Sequence, residues 1–176
     1  MERLILSPVT PADAADIAAY RAAFPEEGTQ ATPDPDRIPG LDRLEEYPRV
    51  EDWLRACGEE KGRISWFLTR RERDGKLVGC CCLRHSLAYD DDDGDFASHI
   101  GYSVRPDEQG KGYGREQLRL LLAQARAIGL PRVRLICRDV NRASAAVIRS
   151  CGGVFAGSVR GEESGMTVER YDIELD

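Results

Sequence analysis

Three glycines, Gly110, Gly112 and Gly114, stand in the string VRPDEQGKGYGREQ, between a strand-like apolar segment and a long helical stripe. The first N–H groups of a helix have no partner within it. Glycine lets the backbone come close to a ligand and take positive φ, and the helix dipole adds partial positive charge, so a turn of this kind suits an anion, with pyrophosphate a natural occupant. Lys111 and Arg115 would add charge. A Walker-type loop is excluded, because Lys111 is followed by Gly112 and not by Ser or Thr. A dinucleotide fingerprint is excluded too: it needs glycine where Arg115 stands, and an early βαβ unit. What remains is Gln-x-x-Gly-x-Gly, Gln109 to Gly114.

Side chains able to move a proton near neutrality are few. The chain has 2 histidines, His85 and His99, and an imidazole's reference pKa suits proton transfer at neutral pH. A histidine on a half-buried strand can equally be hydrogen-bonded in place, and both readings stand for each. The run Asp90–Asp93, with Asp95, is either a solvated loop or an attractor for a cationic acceptor. The 6 cysteines include Cys80-Cys81-Cys82; consecutive side chains on a strand point to opposite faces, so these form no ligand cage. No pair has C-x-x-C spacing, so they read as small buried hydrophobes of a reducing compartment, and no metal site is expected.

The elements that position these groups follow from periodicity. After Leu4-Ile5-Leu6, a helix is expected over Pro11–Phe24 with Thr10 as N-cap, and a second over about Leu41–Cys57, the two separated by the Pro- and Gly-rich segment Glu26–Gly40. ISWFLTRR, the turn Asp74-Gly75 and KLVGCCCLRHSL predict a hairpin, with FASHIGYSV as a third strand. The stripe Leu118, Leu121, Leu122, Ala125, Ile128 predicts a helix from Gly112 to Ile128, ended by Gly129. A strand VRLICR, a short helix near Asn141 and strands around Val154–Val159 and Met166–Leu175 complete a mixed α/β layout.

With 176 residues and 41% hydrophobic content the chain fits one domain, 1–176. A net charge of −6 argues against nucleic acid or an anionic membrane as partner. No basic leader with an apolar core and no bilayer-length apolar run is present, so a cytoplasmic protein is expected.

The segment Gln109–Gly114 resembles the acetyl-CoA signature of the GNAT superfamily of N-acetyltransferases. A second signature of that family follows VRLICR: Asn141-Arg142-Ala143-Ser144, Val147-Ile148 and Cys151-Gly152-Gly153. The string His99–Pro106 is similar to a subgroup of bacterial acetyltransferases without an assigned substrate, and residues 77–153 would be the acetyl-CoA core, with 1–60 on the acceptor side. The resemblance implies a bent, mostly antiparallel mixed sheet whose two central parallel strands splay apart, flanked by helices. It implies CoA binding by Gln109, Gly110, Lys111, Gly112, Tyr113, Gly114 and Arg115, by the backbone of Ser103 and Val104, and by Asn141 and Ser144. His99 stands where many members carry a glutamate proposed as base. The tyrosine that commonly protonates the thiolate, seven residues beyond the asparagine, is Ile148 here; Ser144 is nearest by motif, as acid or as a first-turn stabiliser. The expected activity is transfer of acetyl to an amine of a small molecule or peptide, by direct attack in a ternary complex. The alternative is a catalytically silent acyl-CoA-binding or sensing module. Oligomeric state stays open, a homodimer included.

Overall fold

The computed structural model describes residues 2–27, 36–89, 94–162 and 164–175. The acidic run Asp90–Asp93 and the side chain of Asp95 fall outside the described residues, as do residues 28–35 between the first two helices. In chain order the elements are β1 (Leu4–Pro8), α1 (Ala14–Arg21), α2 (Val50–Glu59), β2 (Ile64–Arg71), β3 (Leu77–Arg84), β4 (Ile100–Val104), α3 (Tyr113–Ala127), β5 (Arg132–Arg138), α4 (Arg142–Ser150), β6 (Val154–Arg160) and β7 (Thr167–Glu174).

The strands form two antiparallel sheets, ordered β1-β2-β3-β4 and β5-β7-β6. Helix α3 carries the chain from β4 to β5, the crossover that parallel neighbours require. The sheets meet where the His99 N–H, at the threshold of β4, donates to the Arg134 carbonyl of β5 at 2.8 Å. Beyond that bond the strands do not pair, and a gap opens between them.

Alternation along β3 sorts its cysteines between two cores. Cys81 joins Phe67, Leu83, Ile100, Leu118, Leu121, Leu122 and Ile148 on one side of the sheet. Cys80 and Cys82 join Ile17, Tyr20, Trp53 and Trp66 on the other, under α1 and α2. All three are 0% exposed, and burial pushes the Cys81 thiol up to about 12, so it stays protonated.

Two expectations shift. Pro11–Asp13 is a 3-10 turn that feeds α1, with the Asp13 carboxylate accepting from the Thr10 N–H and hydroxyl. The helix expected from Leu41 instead begins at Val50: Arg43 has φ 65, and Pro48 disfavours helical backbone at Tyr47, which is extended. Among the described residues no helix is long and apolar enough to cross a membrane.

Candidate active site

Gly112 is the N-cap of α3 at φ 84, ψ 2, and Gly110 lies at φ 76. These left-handed values let the chain turn back from β4 into the helix, whose first N–H groups have no partner within it. The Glu116 N–H bonds the Gly112 carbonyl at 3.3 Å, so the amides of Tyr113, Gly114 and Arg115 precede the first helical bond. A Cβ on Gly114 would sit 3.6 Å from both Val104 Cγ2 and Val147 Cγ2 and 3.9 Å from the Tyr102 ring. The turn, β4 and α4 therefore converge there.

Side chains around this turn hold it in place more than they offer charge to a ligand. Gln109 Nε2 donates to the Val104 carbonyl at 3.2 Å, tying the turn to the end of β4. Glu108, 3% exposed, takes Lys111 at 2.7 Å, Lys76 at 2.5 Å and Arg71 at 3.2 Å. The Lys111 and Lys76 ammonium groups, with Arg71 beside them, hold its carboxyl below the usual range. Lys111, expected to add charge at the turn, is paired with Glu108 while its side chain stays half exposed. The Tyr113 ring is 4% exposed and its hydroxyl donates to Glu2 at 2.7 Å, leaving its backbone for a ligand. Arg115 stays exposed beside the turn.

Register decides which backbone groups of β4 face the gap. Arg84 N–H bonds the His99 carbonyl and Arg105 N–H bonds the Val78 carbonyl, while Gly101 and Ser103 oppose Cys82 and Cys80. Hydrogen-bonded pairs alternate along an antiparallel ladder, so Gly101, Ser103 and Arg105 turn their backbone polar groups toward β3, while His99 gives β3 only its carbonyl and sends its N–H to Arg134 of β5. Ile100, Tyr102 and Val104 turn theirs into the gap. The Ser103 backbone, expected to pair with a ligand, is thus engaged with β3, and the backbone groups of Tyr102 and Val104 are the ones turned away from it. The Ser103 side chain is itself occupied, 3.1 Å from the Tyr20 hydroxyl in the opposite core.

Across the gap, Asn141 is the N-cap of α4, its Oδ1 accepting the Ser144 N–H at 3.1 Å. Cap formation uses the oxygen and leaves the amide NH2 as a donor. Ser144 Oγ lies 3.0 Å from the Tyr102 hydroxyl. Burial pushes the Tyr102 phenol up to about 12. Ile148, at the position where the family commonly carries tyrosine, is 0% exposed in the core.

His99 does not have the geometry of a proton acceptor. Its Nδ1 accepts the Arg134 N–H at 2.9 Å, so the neutral ring carries its hydrogen on Nε2. Burial, reinforced by the Arg134 guanidinium, pushes the imidazole down to about 4. A ring with one nitrogen occupied and the other protonated clasps β4 to β5; it has no free lone pair for an ammonium proton. His85 Nε2 pairs with Ser65 Oγ at 2.9 Å, a structural contact. Among the described residues no group of His, Cys, Asp or Glu could hold a metal ion.

Sequence reasoning missed Tyr102 and Glu108. Tyr102 had a signal, its period-2 position on the face of β4 shared with Ile100 and Val104; Glu108 had one in the Glu-x-x-Lys spacing to Lys111.

Comparisons with known proteins agree with this geometry. Residues 3–154 match the family described as an Acetyltransferase (GNAT) domain. No curated protein matches the chain. Among solved structures, an acetyltransferase from Salmonella typhimurium that modifies the N-terminal serine of ribosomal protein L7/L12 superposes with a TM-score of 0.72 at 18% identity, covering 98% of this chain and 95% of that one. A ribosomal L7/L12 alpha-N-protein acetyltransferase in complex with coenzyme A superposes at 0.71 with 16% identity, over 98% and 94%. A dodecameric spermidine N-acetyltransferase from Vibrio cholerae gives 0.67 at 17% identity, over 98% and 94%. At these identities the superpositions speak for the fold, and the family match over most of the chain, joined to the glycine turn and the parted strands, makes this chain a member of the GNAT acetyltransferase family.

Proposed function

We propose that this chain is one catalytic domain, 1–176, which binds acetyl-CoA along the gap between β4 and β5 and transfers acetyl to the amine of a small molecule or peptide. The observation that carries this reading is a row of backbone groups: the amides of residues 113–115 at the glycine turn, then the Val104 N–H and the Tyr102 N–H and carbonyl on the edge of β4 away from β3, the Val104 carbonyl being taken by Gln109. A pyrophosphate fits the first group and a pantetheine arm, adding itself as a strand would, fits the second. Asn141 offers its free NH2 to the arm. Solved neighbours support the acceptor class, one described as acting on spermidine and another on a protein N-terminus.

The reaction needs no covalent enzyme intermediate. The amine attacks the thioester carbonyl, the C–N bond forms, the C–S bond breaks, and holding the two reactants together supplies several kcal/mol. Water takes the ammonium proton, because His99 has neither a free nitrogen nor a suitable pKa.

Thiol release from acetyl-CoA, measured with polyamines and with peptides bearing free N-termini, tests the reading. Amine-dependent release with an acetylated product detected by mass is expected. Calorimetric CoA binding without turnover on any amine would favour the silent-module alternative.

Asn141→Ala should loosen acetyl-CoA binding several-fold and lower stability by about 1 kcal/mol, since the Ser144 N–H loses its cap. Calorimetry and thermal melting separate the two effects. An unaltered dissociation constant would remove Asn141 from the binding site.

A further inference from the structure

We infer that Tyr102 is a positioning residue for departure of the CoA thiolate, its phenol donating to Ser144 Oγ so that the Ser144 hydroxyl points its own hydrogen at the sulfur. This rests on the proposed acetyl-CoA binding. The family's usual tyrosine donor on α4 is absent, since Ile148 stands there and is packed in the core at 0% exposure. The fold brings a phenol to the same place from the opposite wall: Tyr102 leaves β4 on the side facing α4 and ends 3.0 Å from Ser144 Oγ.

Three observations place this pair beside the gap, and either hydroxyl can donate to the other. Tyr102 also supplies backbone groups to the gap, so its side chain is anchored beside the arm's path. Its ring stands 3.9 Å from where a Gly114 Cβ would be, held between the glycine turn and α4. Ser144 sits in the first turn of α4, with its N–H capped by Asn141 Oδ1. The titratable groups nearest the phenol are Cys137 of β5 and Cys151 beyond α4, alongside the Ser144 hydroxyl. Each hydroxyl can donate one hydrogen and accept others. When Tyr102 donates to Ser144, the serine hydrogen is released for a third partner.

Tyr102 does not hand over a proton. With its phenol at about 12, against a thiol reference of about 8.5, transfer to a thiolate runs uphill. The pair instead lends a hydrogen bond to sulfur as the C–S bond breaks and the electron pair stays on sulfur. Water later protonates the thiolate.

The bound CoA thiol reports this directly, without a known acceptor. Its titration is followed by the ultraviolet difference between the CoA complex and the complex with desulfo-CoA, which cancels the protein's own cysteines. In the wild type the bound thiol should titrate below free CoA. Tyr102→Phe should raise that value by about one unit, and Ser144→Ala by a similar amount. The double variant should add little, because both act through one hydrogen bond. Ser144 is only partly buried, so Ser144→Ala tests the pair even if Tyr102→Phe folds poorly. CoA bound normally with the same thiol titration in every variant would overturn the inference alone. Failure of the wild type to bind CoA would overturn the proposed function as well.

Discussion

Gly112→Trp should abolish acetyl-CoA binding while leaving a folded protein. Nothing lies within 4 Å of the place a Gly112 Cβ would occupy, so the protein itself has room for a side chain; the space it fills is the ligand's. At φ 84 any other residue also carries strain, about 1–2 kcal/mol. The two costs are separable with a control. Gly75, in the β2–β3 turn, has φ 69 and equally open surroundings, so Gly75→Trp bears comparable strain far from the glycine-rich turn. Both variants should melt at lowered and similar temperatures. Only Gly112→Trp should lose CoA affinity, by a hundredfold or more, since each amide bond to a charged phosphate is worth about 1.5–3 kcal/mol. Equal affinity in a folded Gly112→Trp variant would place the pyrophosphate elsewhere.

Local chemistry explains why this turn was legible in the sequence. Positive φ, a helix start and the absence of a P-loop serine are written within six residues, and the N-cap at Asn141 within four. Groups whose meaning depends on a distant partner were not. His99 and Arg134 are 35 residues apart, and nothing in HIGYSV announces that the ring nitrogen will be taken by the backbone of another strand. Tyr102 and Ser144 stand 42 apart. The interrupted second helix has a different cause: apolar spacing continues through Leu41–Cys57, yet Pro48 and the left-handed Arg43 cut it. Ser103 shows a third limit. Choosing between adjacent residues on β4 requires the register with β3, which a single strand's sequence does not contain.

His99→Leu should destabilise the fold by about 1–3 kcal/mol, the cost of leaving the Arg134 N–H without its acceptor where the sheets join. His99→Gln should lose less, because an amide oxygen can accept that hydrogen. The pH dependence distinguishes a clasp from a base. In the folded protein the ring titrates at about 4, below its ordinary 6.5. As pH falls from 6.5 the unfolded chain takes up a proton that the folded chain refuses, so stability declines with falling pH down to about 4 and levels off below. Above 6.5 the ring is neutral in both states and contributes no slope. Melting temperatures of the wild type should show this decline across the window, and His99→Leu should show a shallower one. Activity should behave differently: with the ring already neutral and its Nδ1 occupied, kcat/KM should carry no limb that vanishes in His99→Gln. The rising limb should instead follow the acceptor amine and move when an amine of different pKa is supplied. A limb that disappears with His99→Gln, at undiminished acetyl-CoA affinity, would return the proton to His99 and require the Arg134 bond to open during turnover.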